Sequence, residues 1–199
     1  MSDALIKCFP KRELLAILRH EAGHLRLWHL PTRIGFAVLP LLALAIDERN
    51  AHGAIVGIES ILTGHGLPSG MGLAMLLVAY AVYAFYGLSW LSHQIEFEAD
   101  IYACQDDRNE KPFDSVGTNQ ISLEYANDMS DALLRLAAVN PEQIEKNSLW
   151  HPSIGSRIRM IQAIGSDPRR AVAFSESFAR RRRIVFLVLI GICLFALLS

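Results

Sequence analysis

Long stretches without charge alternate along the chain with stretches in which apolar residues recur every three or four positions, and the two patterns predict different elements. Met71–Leu91 (MGLAMLLVAYAVYAFYGLSWL) runs for 21 residues with no charge. As a helix it reaches about 31 Å, the depth of a hydrocarbon core of roughly 30 Å, so it predicts a membrane span. Ile34–Ile46 (IGFAVLPLLALAI) has 13 residues and carries Pro40. At about 20 Å it crosses only by borrowing flanking residues or thinning the bilayer. Ile184–Leu198 has 15 residues directly after Arg180–Arg183; the long arginine stems extend its apolar reach, and it reads as a C-terminal anchor.

Elsewhere the period is helical. Glu13 to Leu18 leads into a helix through His24 that Pro31 is expected to end. Residues 92–183 have the composition of a soluble helical domain. In it, residues 119–140 place Ile121, Tyr125, Leu133, Leu134, Leu136 and Ala137 among polar positions, and Ser153 is placed to cap a helix carrying Ile154, Ile158 and Ile161 on one stripe. Residues 105–118 read as a loop. No strand-like alternation persists, so the expected fold class is all-α, a mainly helical integral membrane protein.

The distribution of charge orients it. Residues 1–33 hold six lysines and arginines, residues 47–70 hold Arg49 alone, and residues 92–183 hold twelve. The positive-inside rule then puts residues 1–33 and 92–183 in the cytoplasm, 34–91 in the membrane as a hairpin with an external loop at 47–70, part of it a candidate re-entrant segment, and 184–199 in the membrane as an anchor. The four arginines act as a topology signal and call for no nucleic acid. Cys8, Cys104 and Cys193 are an odd, widely spaced set, which suggests neither disulfides nor a cysteine metal site. The charged start MSDALIKCFPKRELL lacks the apolar core of a secretory signal. Neither a phosphate-binding glycine loop nor a GxSxG serine motif is present.

Candidate chemistry lies at the two ends of the predicted hairpin. His20-Glu21-Ala22-Gly23-His24 puts two imidazoles on one helix face at i and i+4, with Glu21 beside the open position of a shared ion. Zinc suits that donor set: three protein ligands leave one position for water, and Glu21 is placed to act as general base. A third ligand is needed. In Ser92-His93-Gln94-Ile95-Glu96-Phe97-Glu98-Ala99-Asp100, spacing favours Glu96, with His93 a weaker candidate. Asp100, one turn on, can accept the N–H of a ligating histidine, while Glu98 points elsewhere. The bland alternatives are a helix with scattered histidines and an acidic, solvated helix end.

HEAGH, an apolar pair, EFEAD and then Trp150-His151-Pro152 with Arg157 (HPSIGSRI) follow in one order. The chain thereby resembles the HtpX and CAAX prenyl protease family of membrane zinc metallopeptidases, over residues of about 12 to 165. The resemblance implies one Zn2+ per chain on His20, His24 and Glu96, with Glu21 as base and Asp100 holding a ligand. His151 and Arg157 would border the site. There they could donate to the oxyanion, His151 could occupy the open zinc position at rest, or the two could be a packed loop histidine and a surface arginine. It further implies a zinc endopeptidase acting on peptides or membrane proteins, with a role in membrane protein quality control, its site facing the cytoplasm from a bacterial inner membrane. The family has spans before its HExxH helix, whereas 19 residues precede His20 here. Closure of the site is then expected from a longer chain, from a partner or second copy, or from the chain's own anchor. Leu149-Trp150 also stands where the family has Thr before His-Pro. The rival reading is a catalytically silent, truncated paralogue acting as a membrane adaptor or metal-binding protein.

Overall fold

The computed structural model describes residues 9–46, 48–106, 121–139 and 141–198. The elements are helical: α1 (Lys11–Arg26), α2 (His29–Ile46), α3 (Glu48–Gly64), α4 (Met71–Ala103), α5 (Leu123–Val139), a 3-10 turn (Pro141–Gln143), α6 (Ile154–Ser166) and α7 (Arg169–Leu198). Among the described residues there is no strand, only an isolated bridge between Gln105 and Ile121. Of the loop expected at 105–118, only residues 105 and 106 lie within the described residues.

The chain divides into two units, Met1–Leu30 with Leu91–Arg180, and Pro31–Trp90 with Arg181–Ser199. The first has a core of its own. On α5, Ala126, Met129, Leu133 and Ala137 repeat every three or four residues and are buried together with Ala16 of α1, Ile101 at the end of α4, and Ile154, Ile161 and Ile164 of α6. Ile158 packs on its margin, whereas Leu134 turns outward and is half exposed. Two polar ties join α1 to α5: Arg135 donates from Nε and Nη2 to the two oxygens of Glu13, at 2.6 and 2.9 Å, and the Arg19 guanidinium lies 3.7 Å above the Tyr125 ring. Ser153 caps α6 as its position predicts, its hydroxyl oxygen accepting the Ser156 N–H.

Helix α1 ends earlier than the sequence suggests. It stops at Arg26, and a two-residue link containing Trp28 at φ 57° leads straight into α2. Left-handed geometry costs a tryptophan roughly 1–2 kcal/mol, and it lets the chain turn without a glycine. Pro31 terminates nothing. It sits in the first turn of α2, where its missing N–H has no helical acceptor to lose.

In the second unit, α2 carries Pro40 in its interior. A proline there withdraws the N–H that would bond the carbonyl four residues back, which is Phe36. Tyr83 of α4 fills the gap: its hydroxyl donates to the Phe36 carbonyl at 2.8 Å, its ring stacks on Phe36, and Tyr80 donates to the neighbouring Ala37 carbonyl at 3.0 Å. The 47–70 segment, expected as a loop, is helical as α3 over Glu48–Gly64. The helix Met71–Ala103 is the one helix among the described residues that is long and apolar enough to cross a membrane. The apolar runs at 34–46 and 184–198 are helical, within α2 and α7.

Tyr83→Phe leaves the Phe36 carbonyl without a donor, and the expected cost is about 1–3 kcal/mol. The check is thermal unfolding of the purified protein followed by circular dichroism. An unchanged midpoint contradicts the assignment.

Candidate metal centre

Helix α1 buries the face made by Glu13, Ala16, His20 and Gly23, leaves His24 partly covered and exposes Glu21. Gly23 permits close packing there, since a Cβ at this position would meet the Tyr102 ring of α4 at 3.1 Å. Beyond its apolar stretch, α4 is buried almost all round, and it carries three carboxylates inside: Glu96 at 2%, Glu98 at 1% and Asp100 at 0% exposure. The alternative of an acidic, solvated helix end is therefore excluded. Buried carboxylates are costly unless paired, so each must have a partner.

Each has one. Asp100 accepts from both Nε and Nη2 of Arg157, at 2.8 and 2.6 Å, and from Nδ1 of His20 at 2.9 Å. Those bonds fix the outer nitrogen of His20 and turn its Nε2 inward. His20 Nε2 and His24 Nε2 stand 3.1 Å apart, and Glu96 presents Oε2 at 3.5 Å from the first and Oε1 at 3.6 Å from the second. Donor atoms of His20, His24 and Glu96 all lie within 4.8 Å of one another. Two imidazole nitrogens facing each other with a carboxylate against both is the donor set of a divalent cation, and zinc takes such N and O ligands. The residues present fit that ion.

Expectations for the remaining positions divide. Arg157 is buried, with its fork spent on Asp100 and its Nη1 3.6 Å from Glu96; it is no surface arginine. His151 is largely exposed and its Nδ1 lies 3.3 Å from Glu96 Oε1, beside the donor group and not within it. His93 is not a member of that group either. Its Nε2 donates to the Ser148 carbonyl at 2.8 Å, pinning the turn that holds His151, in which Ser148 Oγ accepts the His151 N–H. Gly155 completes that anchorage: its N–H donates to the Ile144 carbonyl at 2.8 Å, an approach with no room for a Cβ. Sequence reasoning missed His29. It is buried at 1% exposure, its Nδ1 lies 2.9 Å from Nδ1 of His24, and its Nε2 lies 3.1 Å from Oε2 of Glu98. Glu98 does point away from the metal face, as its position on the helix requires, but to a partner inside the protein.

The sequence model of peptidase family M48 matches residues 1–164. The chain belongs to peptidase family M48. No curated protein and no solved structure matches it. Membership makes this M48 protein a metallopeptidase-type hydrolase from a family of zinc enzymes, often membrane-associated, and the three converging donors are where its metal could sit.

The electrostatics of the site bear on metal uptake. Burial disfavours the charged form of His20, but the Asp100 and Glu96 carboxylates more than offset it and push its pKa up to about 9. Burial likewise works against ionised Glu96, yet hydrogen bonds from His151 and His20 and the nearby Arg157 charge hold its carboxyl well below the ordinary range. Asp100 is held down against its own burial chiefly by Arg157. In the metal-free protein at pH 7, below the raised value, His20 therefore carries a proton that a metal must displace. Zinc uptake should release about one proton per ion from this residue, and affinity should climb by about tenfold per pH unit up to roughly pH 9. Titration calorimetry in buffers of different ionisation enthalpy measures this directly; proton-neutral binding at pH 7 contradicts it.

Proposed function

We propose that this M48 protein is a membrane-bound zinc endopeptidase, of the HtpX and CAAX protease type, that cleaves peptide bonds in membrane-associated substrates as part of membrane protein quality control. The observation that carries the catalytic reading is the convergence of His20, His24 and Glu96 with the outer nitrogen of each histidine already held from behind. A histidine held in this way offers its metal-facing nitrogen at fixed orientation and in one tautomer. The membrane reading rests on the helix Met71–Ala103 and on the arginine and lysine asymmetry, which favours a cytoplasmic site at an inner membrane.

Zinc bound by the three donors would polarise the scissile carbonyl and ease deprotonation of the attacking water. The protein does the rest. Glu21 follows His20 on α1, is exposed to an incoming peptide, and lies close enough to Arg157 for its charge to act on that guanidinium. Its carboxylate accepts the water proton as the oxygen bonds to the carbonyl carbon. It then passes that proton to the amide nitrogen as the C–N bond breaks. His151, exposed at the lip and hydrogen-bonded to Glu96, stands where a donor could meet the developing oxyanion. Arg157 works through Asp100 and is a positioning residue, since its fork is already committed.

Glu21→Gln should keep zinc while lowering peptidase activity by about 10²–10⁴-fold. The assay is cleavage of casein or of the chain itself, with metal content measured on the same samples. A zinc-loaded wild type as inert as Glu21→Gln defeats the peptidase reading in favour of a silent metal-binding adaptor.

A further inference from the structure

Asp100 and Arg157 hold His20 from behind, and a different pair of residues stands behind Nδ1 of His24. One of them, His29, lies beyond the HExxH stretch, and the other, Glu98, is an unspecified position within the ExxxD stretch. His29, first residue of α2, is five positions beyond His24 and fully buried, and Glu98 is fully buried behind it. The contacts form a line: His24 Nδ1 to His29 Nδ1 at 2.9 Å, then His29 Nε2 to Glu98 Oε2 at 3.1 Å. The left-handed Trp28 link delivers His29 to that place.

Proton placement along the line follows from valence. With Nε2 of His24 turned to the metal position, its hydrogen sits on Nδ1 and must be donated. Nδ1 of His29 can accept it only if His29 carries its own hydrogen on Nε2, and a carboxylate is acceptor-only, so Glu98 enforces that tautomer. Each link leaves one arrangement.

We propose that His29 and Glu98 are positioning residues for the metal centre, a buried relay that fixes the tautomer and ring orientation of His24 as Asp100 and Arg157 do for His20. The inference rests on the metal reading above and adds two residues to it. The relay also makes the metal site depend on the link between α1 and α2, because a His29 displaced by one residue would face neither partner.

The test uses the full chain. In zinc-loaded wild type, side-chain 15N resonances should show His24 protonated on Nδ1 and His29 on Nε2. Zinc affinity, measured by competition with a chromophoric chelator, should fall on the order of 10–100-fold in Glu98→Leu and His29→Leu. Glu98→Gln, whose amide oxygen still accepts from His29, should recover most of that loss. The His20 resonances should stay in place throughout. Folded Glu98→Leu and His29→Leu proteins that hold zinc as tightly as wild type overturn the inference, as does a zinc-loaded wild type with His29 protonated on Nδ1, whether or not the variants fold. A wild type that takes up no zinc overturns the metal reading itself and the relay with it.

Discussion

A carboxylate with no exposure to water organises the first unit. Asp100 is wholly buried, and a buried ion without a partner is worth several kcal/mol of instability. Its partners come from two other helices: the Arg157 fork from α6 and the His20 ring from α1. Because both contacts are directional, satisfying Asp100 fixes where α1 and α6 cross the end of α4 and which way His20 faces. Structure and chemistry are joined at that atom group. The geometry that keeps a buried charge tolerable also aims an imidazole nitrogen at the His24 and Glu96 donors.

One short stretch of α4 serves three purposes. Glu96 and Asp100 lie a turn apart on one face, whereas Glu98 is about 200° round the helix from Glu96. Glu96 faces the two ring nitrogens, Asp100 holds one histidine from behind, and Glu98 reaches the second through His29. Three acidic residues in five positions would repel one another in the open. Inside the protein each is matched by a histidine or arginine, so the acidic run is tolerated and the histidines are oriented.

Much of this was legible in the sequence because helical spacing is a local rule. His20 and His24 at i and i+4, and Glu96 and Asp100 at the same interval, fall on common faces whatever the tertiary fold, and the stripes of α5 and α6 follow from the same period. What spacing could not reveal depends on where the chain turns. The end of α1 at Arg26 is set by a left-handed tryptophan, a conformation no propensity favours, and Pro31 suggested a later stop. With α1 drawn too long, His29 stays on a continuous helix and its return to His24 is hidden. Spacing puts Glu98 on the face away from Glu96, but its burial depends on that return. His93 is a candidate ligand by residue type, and only the turn at Ser148 shows what it holds. The helix over Glu48–Gly64 was obscured by glycines and charges that read as a connection.

In the second unit the same economy of donors appears in apolar surroundings. Pro40 strips a helical donor from Phe36, and a tyrosine hydroxyl from α4 restores it. Unsatisfied carbonyls are most costly where water is scarce, so the tyrosine hydroxyl matters most in such surroundings.

The claim on which the account turns is that His20, His24 and Glu96 share one zinc ion. X-ray absorption at the zinc edge of the purified full chain tests it most directly. The account predicts one zinc with two imidazole nitrogens at about 2.0–2.1 Å and carboxylate or water oxygen at about 2.0–2.2 Å, and a loss of carboxylate scattering in Glu96→Gln. A sulfur ligand, a single imidazole, or an environment unchanged by Glu96→Gln would contradict it.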